Sequence, residues 1–224
     1  MRRFKLLGLA LMSLFVVAVA AASTASAALP KILPETGVAR NWTGINTGNV
    51  ELLNTTGKLK VTCTEAPATG TQEANKPLGT FHIEFKNCTA ESGAAKCNGL
   101  GDSAGIILTL GTWHSVFDLL TTLSAAVLFL IEKVHFNCTA LVLVLVSGEL
   151  VCLWLKPTES NKTHSFHCVQ TASKTQEDEK YFNEAGTEVT TKLSCSINEA
   201  ATEEACIELA LGSQTFSEAV SMDI

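Results

Sequence analysis

Apolar and polar residues alternate along several short segments of this chain. The alternation is clearest at Phe81, Ile83 and Phe85, and it recurs around Leu59 and Val61. A period of two places every second side chain on the same face of a β-strand. Turn-forming residues separate these segments at short intervals. The pattern therefore predicts an all-β fold, built as an antiparallel β-sandwich or barrel.

Two strongly apolar stretches, residues 119–131 and 141–146, lack this alternation. Both are shorter than the roughly 18–20 residues that a membrane-spanning helix needs, so we expect no transmembrane segment after the N-terminal region. Buried strands are favoured, with a short buried helix over residues 117–126 as the alternative. Residues 141–146 are apolar on both faces, which predicts either a central strand covered on both sides or a face used in self-association.

The N-terminus has the features of a secretory signal peptide. Three basic residues precede an apolar stretch over residues 6–21, and small residues follow as far as Ala27. This pattern predicts a signal peptide helix over residues 1–27, cleaved between Ala27 and Ala28. The mature chain, residues 28–224, is long enough to form a single disulfide-bonded β domain.

One long polar segment interrupts the strand pattern of the mature chain. Residues 64–79 are rich in alanine, threonine, glutamate, glycine and proline, and they show no periodicity. Such a composition favours solvent over a packed core, so we predict a mobile loop over residues 64–79.

The mature chain is acidic. The full sequence carries a net charge of −6, and losing the three positive charges of the signal peptide lowers it to −9. Arg40 is then the only arginine. An acidic domain with a single arginine is poorly suited to bind nucleic acid or an anionic membrane, so neither partner is expected.

All eight cysteines lie in the predicted mature chain. An even number of cysteines in an exported protein is typical of a disulfide framework. Zinc sites usually contain closely spaced cysteine pairs of the form C-x-x-C, and this sequence has none. The cysteines therefore predict disulfides, a secreted or cell-envelope location, and neither a metal nor another cofactor.

Distances from predicted turns suggest how the cysteines pair. Cys152 and Cys168 lie equally far from Ser160, at the centre of a polar turn, so they should face each other across a hairpin. Cys195 and Cys206 flank another polar turn, at residues 198–204, and are paired on the same basis. Cys88 and Cys97 enclose a short loop and are paired locally, and the last pair follows by elimination. The resulting disulfides are Cys63–Cys138, Cys88–Cys97, Cys152–Cys168 and Cys195–Cys206.

Residues 101–105 read Gly-Asp-Ser-Ala-Gly, which fits the G-x-S-x-G motif of serine hydrolases. In that interpretation Ser103 would be the nucleophile. A nucleophile also needs a base and an oxyanion hole, and the hydrolase motif joins a strand to a helix. Here an apparent strand follows at residues 106–110, which favours a glycine-rich turn. The hydrolase using Ser103 is kept as the alternative to a non-catalytic protein.

Residues spaced around the cysteines carry a likeness to a known group. They are Val61, Thr62, Cys63, Phe85, Lys86, Asn87, Cys88, Cys97, Gly105, Ile106, Ile107, residues 134–138, Val151, Cys152, Leu153 and Pro157. Their order resembles that of uncharacterised, exported, cysteine-containing proteins of actinobacteria. No activity is known for that group. The resemblance therefore implies export and an all-β fold, and it implies no function and no site.

These patterns favour an exported, non-catalytic structural or binding domain of the cell envelope or the extracellular space. The alternative is a secreted serine hydrolase that uses Ser103. A third hypothesis is a self-associating envelope component that uses the apolar strand at residues 141–146. The sequence identifies no ligand and no partner.

Overall fold

The computed structural model describes residues 29–90, 95–119, 124–139, 141–171, 173, 175–198 and 203–224. The predicted signal peptide and its cleavage position between Ala27 and Ala28 lie outside these residues. Every regular element in the described ranges is a β-strand, which confirms the all-β prediction and excludes the helix alternative for residues 117–118 and 124–126. None of the described segments forms a helix that could cross a membrane.

The described residues form sixteen strands. They are β1 (Lys31–Leu33), β2 (Arg40–Asn46), β3 (Val50–Asn54), β4 (Lys60–Cys63), β5 (Ala68–Gln72), β6 (Leu78–Lys86), β7 (Thr89–Ala90), β8 (Ala95–Gly99), β9 (Ile106–Asp118), β10 (Ser124–Cys138), β11 (Leu141–Trp154), β12 (Asn161–Cys168), β13 (Lys180–Phe182), β14 (Glu188–Thr190), β15 (Leu193–Ile197) and β16 (Glu204–Asp223).

The strands pair antiparallel into a sheet that closes on itself as a barrel. One closed circuit of neighbours runs through β9, β10, β11, β12, β16, β2, β5 and β6. A second runs through β10, β8, β7, β4, β3, β16, β15 and β11. The long strands β10, β11 and β16 belong to both circuits. The other walls of the barrel each consist of two shorter strands placed end to end.

The side chain of Asn46 bridges two breaks between strands, the one between β2 and β3 and the one between β4 and β5. Its side-chain amide donates to the carbonyl oxygens of Gly48 (2.5 Å) and Thr64 (3.0 Å), and its Oδ1 accepts from Ala66 N (2.7 Å). Gly48 lies between β2 and β3, while Thr64 and Ala66 lie between β4 and β5. One side chain thus satisfies backbone groups that the broken ladders leave unpaired.

The prediction of a mobile loop over residues 64–79 is wrong for the central part of that range. β5 lies within it and pairs with β2 on one edge and β6 on the other. Gly70 lies opposite Trp42 on β2, and a Cβ at Gly70 would overlap the Trp42 ring. The small residues that resembled a loop composition therefore make room for a buried tryptophan.

The disulfide predictions Cys63–Cys138 and Cys88–Cys97 are also wrong. The structure joins Cys63 to Cys88 and Cys97 to Cys138, with Cα–Cα distances of 4.1 and 4.0 Å. These four cysteines lie in one row: Cys63 ends β4, Cys88 immediately precedes β7, and Cys97 and Cys138 lie opposite each other on β8 and β10. Neighbouring strands are about 4.8 Å apart, so the ends of the row are separated by about 14 Å, beyond the reach of a disulfide. If Cys88 were bonded to Cys97, Cys63 and Cys138 would be too far apart to bond to each other. Two disulfides form only when each cysteine at an end of the row bonds to its neighbour.

The other two disulfides join the residues that the turn distances indicated, Cys152 to Cys168 and Cys195 to Cys206. The structure therefore holds all eight cysteines as disulfides, with none free. Four disulfides indicate an oxidising, extracytoplasmic environment. Cys152 and Cys168 lie in the middle of the barrel, and the other six cysteines pack into one buried cluster around Leu59 and Phe136.

The two apolar stretches that lacked alternation differ in how their faces are covered. Residues 125–128 of β10 are buried on both faces, whereas in β11 Val144 and Val146 are buried and Leu143 and Leu145 are half-buried. In β10, Ala125 and Val127 point into the barrel, whereas Leu128 lies on the outer face. The hairpin of β13 and β14 covers that outer face and packs Tyr181 against it. In β11, which lies between β10 and β15, Val144 is buried inside the barrel. Self-association through residues 141–146 stays a prediction.

Candidate functional site

The barrel contains an interior cavity of about 110 Å³ where the two circuits of strands meet. Apolar side chains from most walls of the barrel line it. Several of these inward-facing side chains are half-buried rather than buried, namely Ile83, Phe85, Phe129, Ile131 and Phe166. An inward-facing side chain retains accessible surface only where the interior is not filled. The cavity therefore explains why these five side chains are only half-buried.

Aromatic rings form part of the cavity wall. Phe129 packs edge-to-face against Phe81 with ring centroids 5.2 Å apart, and it lies 6.4 Å from Phe166 at a tilt of 55°. Gly111 makes room for this arrangement, since a Cβ at that position would lie 2.7 Å from the Phe81 ring. The cavity can therefore offer ring faces and edges to an apolar molecule.

Glu208 is the one ionisable side chain among the described residues that line the cavity. It lies on β16 between Cys206 and Ala210, which both belong to buried core clusters, so the alternation of the strand directs Glu208 inward. No hydrogen bond or ion pair of its carboxylate to another described residue is found. Burial raises the pKa of Glu208 to about 7.

The backbone at Glu208 is held on both edges. On one edge β16 pairs with β3, where Glu208 lies opposite Leu52. On the other edge β12 and β15 leave a gap, and the buried side chain of Gln176 fills it. Gln176 Oε1 accepts from Glu208 N (3.0 Å), and Gln176 Nε2 donates to the carbonyl oxygens of Glu208 and Val169 (both 3.1 Å). These contacts fix the position of the carboxyl group in the wall.

Ser103 lies away from the cavity, in an exposed turn between β8 and β9. Gly101 and Gly105 flank it with φ angles of 87° and 83°, a backbone region that glycine adopts readily. Its carbonyl oxygen accepts from Ile106 N (3.0 Å). No described histidine or other base is hydrogen bonded to its hydroxyl group. The described residues therefore bring no base to Ser103, and its motif forms a glycine-rich turn.

A pair of buried acidic residues lies next to the hairpin of β13 and β14. Asp118, at the end of β9, and Asp178 are 2% and 1% exposed. Neither carboxylate oxygen of Asp178 has a hydrogen-bond partner among the described residues. Burial, together with the charges of Asp118 and Glu177, raises the pKa of Asp178 to about 7. Within the described residues no group of three or more histidine, cysteine, aspartate or glutamate side chains could hold a metal ion.

Sequence reasoning missed both Glu208 and Asp178. For Glu208 a signal was present, because Cys206 and Ala210 flank it at a spacing of two on a strand. A charged residue in such an apolar row is unusual and indicates an interior charge. Asp178 lies in an irregular polar segment, where no periodicity distinguishes a buried carboxylate from an exposed one.

Fold and cavity together define a disulfide-linked antiparallel barrel with a mainly apolar interior, whose described lining contains one carboxyl group. A scan of protein-family models, a search of curated proteins and a search of solved structures found no match to this chain.

Proposed function

We propose that this chain is an exported, non-catalytic domain of the cell envelope or the extracellular space that binds a small apolar molecule inside its barrel. The interior cavity carries this proposal. Protein interiors are packed as densely as organic crystals, and voids larger than a water molecule are few. An empty apolar cavity of this size costs about 2–3 kcal/mol of stability, which a guest molecule would recover.

The chemistry of the wall supports an apolar guest. Apart from Asn46, Thr109, Glu208 and Gln214, the described lining consists of apolar residues and three disulfide-bonded cysteines, Cys63, Cys152 and Cys168. Water needs two to four polar partners to remain in an interior site, and most of this wall offers none. Apolar cavities of about 150 Å³ stay dry and bind benzene or xenon. A guest of similar or smaller size suits this barrel.

The disulfides and the signal peptide pattern support export. Four cross-links would be reduced in most cytosolic environments, and they stabilise small exported domains by restricting the unfolded chain. Interior binding also fits a stiff barrel, because the closed sheet holds the cavity open while the cross-links oppose its collapse. The exposed Ser103 plays no part in this proposal.

Binding of benzene to the oxidised mature protein, measured by ligand-observed NMR, tests the proposal. The Ala210→Leu variant adds apolar volume to the cavity, because Ala210 lines it. Ala205→Leu is the matched control, since Ala205 lies exposed on the same strand. We expect saturable binding to the parent protein and to Ala205→Leu, with at least a tenfold loss for Ala210→Leu. Equal binding to both variants, or no saturable binding to the parent, would overturn the proposal.

A further inference from the structure

We infer that the molecule bound in this cavity carries a protonated amine, which the carboxylate of Glu208 holds. This inference rests on the proposed function, since it names the chemical class of the guest. Within the described lining, Glu208 supplies the single ionisable group, and the rest of the lining includes apolar side chains such as Phe85, Ile131 and Phe166.

The carboxylate of Glu208 has no counter-charge among the described residues. A charge removed from water is costly unless a hydrogen-bonded counter-charge accompanies it. Glu208 has no such partner among the described residues, and burial alone accounts for its raised pKa. An ammonium group on a guest would supply both the opposite charge and the hydrogen-bond donors. A neutral guest would supply no charge, and a carboxylic acid would be repelled by the ionised form.

The backbone of Glu208 is held on both edges of its strand. This backbone is hydrogen bonded to Gln176 on one edge, and it is paired in register with Leu52 of β3 on the other. The carboxyl group is thus presented from a fixed point in the wall rather than from a loop. A fixed acceptor loses little conformational freedom on binding, so the ion pair can contribute to selectivity.

The aromatic part of the lining suits an apolar body. Phe129 contacts the rings of both Phe81 and Phe166, edge-to-face and tilted, and all three rings line the cavity. They can enclose a short alkyl chain or a small ring, while Glu208 addresses the nitrogen atom. The structure thus favours a small primary or secondary amine with an apolar body.

Calorimetric titration of the oxidised mature protein with butylamine and with 1-butanol tests this inference. At about pH 8 an alkylamine is protonated, because its pKa is close to that of lysine at about 10.4. A charge-assisted hydrogen bond favours the amine, so we expect it to bind about tenfold or more tightly than the alcohol. In Glu208→Gln the preference for butylamine should be lost, because no carboxylate then offsets the cost of removing the ammonium group from water, and retained 1-butanol binding would show that the cavity still forms.

Asp223→Asn is the matched control, since it removes an exposed carboxylate from the same strand. It should leave the preference for butylamine unchanged. If 1-butanol binds as tightly as butylamine to the parent protein, or if Glu208→Gln keeps the preference, the inference is wrong while the binding cavity stands. If neither compound binds and benzene also fails to bind, both the inference and the proposed function are wrong.

Discussion

The side chain of Gln176 hydrogen bonds to both backbone polar groups of Glu208, at 3.0 Å to the N–H and 3.1 Å to the carbonyl oxygen. An amide side chain therefore acts as the missing strand neighbour in the gap between β12 and β15. The segment that contains Gln176 lies between those two strands in the sequence. The segment that separates β12 from β15 in the sequence thus supplies the side chain that fills the gap between these two strands.

Replacing Gln176 with alanine should destabilise the fold. The substitution leaves the N–H and carbonyl groups of Glu208 without their partners, and each unsatisfied buried group costs about 1–3 kcal/mol. We expect urea unfolding to show a loss of about 2–4 kcal/mol in the free energy of unfolding. Ser173→Ala, an exposed change in the same segment, should stay within about 0.5 kcal/mol of the parent. Equal effects of the two substitutions would contradict this role.

The contact between Gly70 and Trp42 predicts a coupled pair of substitutions. A methyl group at Gly70 overlaps the Trp42 ring, so Gly70→Ala should cost about 1–3 kcal/mol through overpacking. Adding Trp42→Phe should recover only part of that cost, because the smaller ring gives way while the Thr80 carbonyl oxygen still overlaps the methyl position. A double-mutant cycle of unfolding free energies measures the coupling. Additive effects of the two substitutions would show that the side chains do not meet as described.

Asp178 predicts a dependence of stability on pH. Its pKa rises from an ordinary value of 3.8 to about 7 in the folded protein, so between these values the folded chain keeps a proton that the unfolded chain has lost. Stability should therefore fall as pH rises through this window. Glu208 has a pKa raised to about 7 as well and contributes in the same direction.

Asp178→Asn isolates the contribution of Asp178 to this dependence. The amide stays neutral, so urea unfolding from about pH 4 to about pH 8 should show a shallower decline than in the parent protein. At about pH 8 the variant should be more stable by about 1–3 kcal/mol. Glu159→Gln, at an exposed carboxylate, should keep the slope of the parent. An identical slope in the parent and in Asp178→Asn would refute this assignment.

The row of four cysteines predicts a specific peptide map. Trypsin cleaves after Lys86 and Lys96 and so separates Cys88 from Cys97. Mass spectrometry without reduction should find one fragment that joins Cys63 to Cys88 and another that joins Cys97 to Cys138. A fragment in which Cys88 is joined to Cys97 would contradict the structure.

Ser103 should not react as a catalytic nucleophile. Its hydroxyl group lies exposed in a turn, and no described base is hydrogen bonded to it. A fluorophosphonate probe should therefore leave the oxidised mature protein unlabelled. Labelling that disappears in Ser103→Ala would restore the serine hydrolase alternative.

Local patterns predicted much of the fold. The alternation around Phe81 and Phe85 identified a strand, and the equal distances from Ser160 placed Cys152 opposite Cys168. These inferences succeed because period and turn distance depend on a few neighbouring residues. They also restricted the fold to a sandwich or barrel.

Features that depend on distant strands were not predictable in the same way. The pairing of Cys63 with Cys88 follows from four strands lying side by side, and no turn distance encodes that order. The small size of Gly70 gains its meaning only from Trp42 on a neighbouring strand. Glu208 could have been recognised as an interior charge, but the cavity around it is formed by walls from the whole chain.

A crystal of the oxidised mature protein held under xenon pressure would show directly whether the barrel contains an apolar cavity. Xenon binds apolar cavities and scatters X-rays strongly, so it reports where such a cavity lies. We expect a xenon atom inside the barrel, within contact distance of Phe129, Phe166 and Ala210. A barrel interior filled by side chains, with no xenon bound there, would contradict this expectation.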